Sequence, residues 1–210
     1  MEYEVRYYFN SSKKDEIINN LSEIEGITKG NRCYEKTIQF DHPNNDNSFY
    51  KKDIDGRFRI RVTKNDVVSK CKISWKRRIN STTNLEVNKE EEVEINIDYS
   101  EYDNLMFIIN NVLKMKKVES YERYRTVFTN EEIEIAVDEY PFGIALEIEN
   151  KSNSDNPEMI VKKWVEIIGL DITKSYKLSW DDKYRDLCNN QGVKQYNHVT
   201  FDLPMPHVID

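Results

Sequence analysis

The sequence has little of what usually announces an active centre. Histidine occurs only at His42, His198 and His207, and cysteine only at Cys33, Cys71 and Cys188. Neither set has zinc-ligand spacing, and three scattered cysteines give no disulfide framework, so a reducing cytoplasm is the expected compartment. With so few histidines, a His-centred triad or zinc site is not expected, and any chemistry must run on carboxylates, Lys, Arg or Tyr. No apolar stretch approaches the length of a membrane span. The patterned sequence begins at Glu2, so no signal peptide is expected. There is no excess of positive charge either. The net charge is −7, which argues against a broadly basic nucleic-acid surface while leaving local basic clusters free to hold one polyanion.

What is present is a folded-protein composition, 38% hydrophobic and 33% charged, with 13 tyrosines against 6 glycines. Most of it alternates with period two, the mark of strands with unlike faces. Strands are expected over residues 2–9, 33–40, 57–63, 69–79, 90–98, 117–128, 132–140 and 144–150. Helices are expected over residues 13–24, stopping at Gly26, and from Pro157 to a stop at Gly169. A third is expected from a capping box of Ser100 and Asp103, with Leu105, Ile108, Ile109 and Val112 as its apolar stripe. Residues 181–188 read as a further short helix. The chain beyond about residue 189 is assigned no structure.

The polar faces of these strands carry same-sign pairs two residues apart. Glu2/Glu4, Glu92/Glu94 and Glu147/Glu149 are acidic; Arg59/Arg61, Lys70/Lys72, Lys76/Arg78 and Arg123/Arg125 are basic. Like charges so placed repel unless a ligand, a counter-ion or an opposite strand neutralises them. One strand at a time, a solvated face laced with salt bridges explains such alternation. Six strands together favour a shared cavity. The apolar faces need cover and the amphipathic helices need something to cover. Both are met by an α+β architecture, a closed eight-stranded antiparallel barrel with a charged interior and helices packed outside. In such a cavity Arg and Lys would hold phosphate oxygens, and clustered carboxylates would hold Mg²⁺ or Mn²⁺. Asp138, alone on an otherwise apolar strand, joins the functional candidates. Tyr121, Tyr124 and Trp75 are read as packing residues, and Arg77 as outward-facing.

The pattern resembles the CYTH superfamily, the triphosphate tunnel metalloenzymes. Glu2-Tyr3-Glu4-Val5-Arg6 is similar to that family's first-strand Glu-x-Glu-x-Lys, with Arg in place of Lys. Gly56-Arg57-Phe58-Arg59-Ile60-Arg61 resembles its Leu-Arg-x-Arg strand. Lys72 and Lys76 match its basic strand and Glu92/Glu94 its acidic one. Asp138 followed by Leu146-Glu147-Ile148-Glu149 is similar to its late strands, and Ser175-Tyr176 to its ending. Tyr121 departs from a frequent Lys-x-Arg. The likeness runs over residues 1–190, leaving residues 191–210 as a C-terminal tail.

The resemblance implies a metal-dependent enzyme with one or two Mg²⁺ or Mn²⁺ ions on Glu2, Glu4, Glu92, Glu94, Asp138, Glu147 and Glu149. It implies a triphosphate clamped by Arg6, Arg59, Arg61, Lys72, Lys76, Arg123 and Arg125, with Arg6 and Lys76 nearest the chemistry. The expected partner is a small-molecule triphosphate such as ATP or tripolyphosphate, with neither DNA nor membrane, and at most a second copy of the chain as a homodimer. Hydrolysis by a triphosphatase is favoured over the class IV adenylate cyclase reaction. An RNA 5′-triphosphatase and a non-enzymatic polyphosphate-binding module remain as alternatives. Removing Glu147 or Glu149 is expected to abolish turnover and spare the fold.

Overall fold

A computed structural model of the chain describes residues 1–79 and 86–209. Its strands are β1 (Glu2–Phe9), β2 (Thr28–Lys29), β3 (Cys33–Asp41), β4 (Gly56–Lys64), β5 (Ser69–Arg78) and β6 (Asn88–Ile97). They continue with β7 (Lys116–Thr129), β8 (Ile133–Tyr140), β9 (Gly143–Asn150) and β10 (His198–Val199). The helices are α1 (Lys14–Ser22), α2 (Tyr102–Phe107), α3 (Pro157–Ile168) and α4 (Trp180–Gln191).

Eight of the strands form the closed antiparallel barrel, in the order β7-β3-β4-β5-β6-β1-β9-β8, with β8 returning to β7. Closure is uneven. β4 meets β5 over nine residue pairs, but β1 meets β6 over only three, Glu2↔Glu90, Tyr3↔Lys89 and Glu4↔Asn88. Beyond that seam Tyr176 takes over, donating its backbone N–H to the carbonyl of Arg6.

The inward and outward faces follow the alternation in the sequence. Val5 and Tyr7 of β1 pack outward with Ile135, Leu146 and Ile148, under Val161, Trp164 and Val165 of α3 and Leu21 of α1. Pro157 opens α3, and Gly169 ends it in the left-handed region at φ +78, where a side chain would be strained. On the far side α2 covers β3, β4 and β5 through Ile38, Phe40, Ile60 and Cys71.

Here the expected capping box gives way. Asp98 accepts from the N–H of Ser100 in a short 3-10 turn, and α2 starts only at Tyr102. The helix then widens into a π turn over Ile108–Val112. More residues per turn rotate Ile108 and Val112 off the face set by Leu105 and Ile109, so Ile109 is buried while Ile108 and Val112 are exposed. The outward Val93 and Ile95 of β6 are also exposed.

The chain beyond residue 189, expected to lack structure, packs on the barrel; residue 210 lies outside the described residues. β10 runs parallel to β7 at Ser120 and Tyr121. β3 occupies one edge of β7 there, and β8 joins the other only from Tyr124, so β10 covers the part of that edge which β8 leaves open. Met205 and Val208 join Tyr140, Phe142 and Tyr184 in a third apolar cluster. The helix expected at residues 181–188 runs from Trp180 to Gln191, started by a reciprocal cap of Ser179 and Asp182.

Candidate active site

The inward faces meet in a cavity of about 180 Å³. All but one of the candidate residues line it. Its acidic side is built where β1, β6 and β9 come together. The short seam sets Glu2 opposite Glu90, while the other edge of β1 sets Glu4 opposite Glu149. Glu2, Glu4 and Glu90 each offer an oxygen within 4.8 Å of the others. Lys76, opposite Glu92 on β5, brings its Nζ to 2.6 Å from Glu90 and 3.0 Å from both Glu2 and Glu4.

Burial and mutual repulsion govern these acids. Burial, with the neighbouring Glu92 and Glu149, pushes the Glu2 carboxyl up to about 8 despite Lys76. Burial also raises Glu149, with Glu4 adding to it. Glu92 moves the other way: burial opposes its ionisation, but Arg59 and Lys76 hold it well below the usual carboxylate range. Burial works against the charge of Lys76, and Glu4, Glu2 and Glu92 outweigh it, so the ammonium is held above its ordinary value.

The Oε2 atoms of Glu2 and Glu90 are buried without a hydrogen bond. Three clustered carboxylates, two of them with an oxygen lacking a hydrogen bond, are a hard-donor set that suits Mg²⁺ or Mn²⁺. No histidine or cysteine stands in this lining.

The basic side is held in place by acids of its own. Arg6 donates through Nε to Glu147 at 2.7 Å and through Nη2 to Glu4 at 2.9 Å. Arg125 holds Asp138 at 2.6 and 2.7 Å and Glu147 at 2.7 Å. Arg123 bridges Glu35, at 2.8 Å through Nε, and Asp138, at 2.7 Å. Arg59 donates to Ser74 at 3.1 Å and Glu92 at 2.5 Å. Arg61 donates to Thr37 at 3.2 Å and lies 3.4 Å from the Tyr121 hydroxyl. Burial opposes ionisation of Tyr121, but Arg61, Arg123 and Arg59 pull its hydroxyl down to about 8. Lys72 pairs with Glu94 at 2.6 Å, both about one-third exposed at the cavity's edge.

One end of the cavity is covered by Ser179, Trp180 and Asp181 at the start of α4. Arg78 fastens this end through Asp55 at 2.8 Å and Asp182 at 3.4 Å, and Arg57 reaches the buried Asp181 at 3.5 Å. Tyr121 packs within the same cap, its ring tilted 4.4 Å from the Trp180 ring centre and 5.7 Å from that of Tyr140. It is therefore both a packing residue and part of the wall.

Asp138 does not line the cavity. It is fully buried, and both its oxygens accept from Arg123 and Arg125. It is placed as the counter-ion that orients two arginines, away from the acidic cluster of the lining. Glu147, placed among the acids by sequence, likewise sits between Arg6 and Arg125. Arg77 reaches only the rim, its side chain 43% exposed and paired with Glu91.

Among the participants that escaped the sequence reading are Glu90, Glu35 and Asp181. Glu90 is in phase with Glu92 and Glu94, and that phase could have found it. Glu35 alternates with Thr37 and Gln39, a face with no like-charge pair to draw attention. Asp181 depends on where α4 docks, which no local pattern shows.

The same architecture recurs in solved structures. The PH1819 protein of Pyrococcus horikoshii superposes with a TM-score of 0.65 at 23% identity, covering 89% of this chain and 99% of its own. HpAC1 of Hippeastrum, a candidate adenylyl cyclase described as having a dominant triphosphatase activity, gives 0.56 at 18% identity, covering 93% and 98%. A candidate adenylate cyclase of Vibrio parahaemolyticus gives 0.62 at 14% identity, covering 86% and 96%. The chain shares the fold of these proteins, a closed eight-stranded antiparallel barrel with helices packed outside. No sequence-family model and no curated protein sequence matches the chain, so the likeness is one of fold. Within the tunnel, the acidic cluster of β1 and β6 and the arginines of β4 and β7 line a single space.

Proposed function

We propose that this protein is a metal-dependent enzyme that binds a triphosphate in the tunnel and hydrolyses it. The observation that carries the reading is the meeting, in one cavity of the barrel, of a carboxylate cluster with orphaned oxygens and a wall of arginines. Glu2, Glu4 and Glu90, with Glu92 and Glu149 beside them, would hold the divalent cation. When bound, the cation neutralises phosphate charge and positions a water for attack.

The remaining work belongs to side chains already fixed in place. Arg59, Arg61 and Arg125 present planar N–H donors to phosphate oxygens, and their acid partners offset the repulsion among them. Arg6 and Lys76 stand between the basic wall and the acids, where a terminal phosphate would bridge the two. Burial makes each of these contacts stronger than in water.

Cyclisation of ATP is the second reading, supported by the names of the structural neighbours from Hippeastrum and Vibrio. It would require a platform for the base. The aromatic rings on the wall, Tyr121, Tyr140 and Trp180, pack against each other, which favours hydrolysis of a phosphate chain.

The test is incubation with tripolyphosphate, ATP or thiamine triphosphate, each with Mg²⁺ or Mn²⁺, followed by product separation. Orthophosphate release supports the proposal. Cyclic AMP with pyrophosphate would replace it with the cyclase reading. Tight binding without product would make the tunnel a phosphate sensor.

A further inference from the structure

Lys76 occupies the point that the carboxylate cluster surrounds. Its Nζ is 3.0 Å from Glu2, 3.0 Å from Glu4, 2.6 Å from Glu90 and 3.6 Å from Glu92. Glu2, Glu4 and Glu90 are also the three residues whose oxygens lie within 4.8 Å of one another. The ammonium is thus in the middle of the donor set, and it fits that set poorly in two respects. It brings one positive charge to four carboxylates, of which Glu4 and Glu92 also pair with Arg6 and Arg59, while Glu2 and Glu90 have no other cation among the described residues. Of its contacts, the one to Glu4 has hydrogen-bond geometry, while the Oε2 atoms of Glu2 and Glu90 stay without a hydrogen bond although Nζ is at ion-pair distance. Glu90 is 6% exposed, so its orphaned oxygen faces the cluster and not bulk water. An ammonium has three directed donors, whereas a metal ion accepts oxygens from any side.

We propose that Lys76 is the resident counter-ion of the metal site, displaced from the carboxylates when a divalent cation binds and drawn instead to the incoming phosphate. The proposal rests on the reading of this cluster as the metal site. Lys76 suits an exchange of this kind. Its charge sits on a flexible four-carbon stem. The arginines around it are each tied to a carboxylate or hydroxyl on a neighbouring strand, such as Arg59 to Ser74 and Glu92 or Arg61 to Thr37. Without Lys76 the cluster would be a knot of repelling acids, so the lysine lets the barrel fold and close before metal arrives. With it, metal alone must compete against a built-in cation. A polyanion that attracts the ammonium removes that competition, so metal and triphosphate each raise the other's affinity through Lys76.

The test is Mn²⁺ binding without phosphate at pH 8, followed by electron paramagnetic resonance, for the wild type, Lys76→Met and Lys76→Arg. Lys76→Met is expected to bind Mn²⁺ about tenfold more tightly than the wild type, and Lys76→Arg, which keeps the charge, to stay within about threefold of it. Unchanged or weaker binding by Lys76→Met overturns the proposal. No binding by any of the three proteins would instead remove the metal-site reading itself, and the proposal with it. A measurement on the wild type covers the case in which Lys76→Met fails to fold. Labelling by an amine-reactive reagent, read by peptide mass spectrometry, should rise several-fold at Lys76 on adding saturating Mn²⁺, and an unchanged rate would overturn the exchange.

Discussion

At the scale of single residues, the tunnel separates side chains that sequence composition treats alike. Arg59 and Arg77 are both arginines in basic runs, but Arg59 points inward, with a side chain 11% exposed and bound to Glu92, while Arg77 is 43% exposed and pairs with Glu91 at the rim. An exposed pair contributes little and is screened by salt. Arg59→Ala should therefore weaken tripolyphosphate binding by about tenfold or more, and Arg77→Ala by less than about twofold; titration calorimetry decides, and a larger loss at Arg77 would invert the assignment of faces. Glu119 makes a second case. Burial, with Asp181 nearby, pushes its carboxyl up to about 7 although Arg57 and Arg185 oppose this, and Gln39 donates to it at 3.0 Å. A carboxyl raised in the folded state binds more protons folded than unfolded between about 4.5 and 7. Its contribution to stability thus falls as pH rises through that window. Glu119→Gln keeps an acceptor for Gln39 and removes the titration. Urea melts should show the wild type losing stability relative to Glu119→Gln between pH 5 and pH 8, whereas parallel curves would mean that Glu119 ionises normally.

At the scale of elements, the facing of the strands was legible because the period of two carries it directly: β1, β4, β5, β7, β8 and β9 all turn their charged set inward as the alternation implies. Partners were not legible. That Asp138 serves Arg125 follows from the register of β8 on β7, Arg125↔Asp138, and no local pattern encodes a register. Glu35 was missed for the same reason, since its value lies in Arg123 opposite it on β7. The stripe of α2 failed at the π turn because periodicity arguments assume 3.6 residues per turn. β10 is only two residues long, too short to show any period, and it is specified by the open edge of β7. That edge gives the tail a structural role which can be measured. Val208 donates its N–H to the Phe142 carbonyl, Asn10 donates to the Val208 carbonyl at 2.9 Å, and Met205 is 8% exposed in the same apolar cluster. Met205→Ala should cost about 2 kcal/mol, the lower end for a buried methionine. Denaturant unfolding checks it, and a change within about 0.5 kcal/mol would show the tail to be detached in solution.

At the scale of the whole molecule, the barrel is closed around charges, and its stability depends on how each is neutralised. Sequence alone suggested that losing Glu147 or Glu149 would relieve repulsion and spare the fold. The closed structure separates the two. Glu147 is bound by Arg6 and Arg125, which hold its carboxyl well below the usual range against the effect of burial. Glu149 is raised by burial and by Glu4, and is offset by Lys76 and by Lys151 at 2.6 Å, whose side chain is 38% exposed. Removing Glu147 strips one partner each from the buried Arg6 and the part-buried Arg125, which keep Glu4 and Asp138, a loss of about 3 kcal/mol, the lower end for a broken buried pair. In a domain of this size that lowers the melting temperature by roughly 6–12 °C. Its stabilising effect is present above the ordinary carboxylate pKa and fades as pH falls through the depressed folded value, so the deficit of Glu147→Ala should be large at pH 7 and shrink in acid. Removing Glu149 takes one acid from a cluster with too many and frees an exposed lysine, so Glu149→Ala should melt within about 3 °C of the wild type. If Glu149 helps hold the cation, that well-folded variant should still lose metal-dependent phosphate release. Differential scanning calorimetry at pH 3 and pH 7, with tripolyphosphatase assays on the same proteins at pH 7, separates the roles. Equal melting shifts for the two variants would mean that the acids of β9 are not divided between an arginine clamp and a cation site.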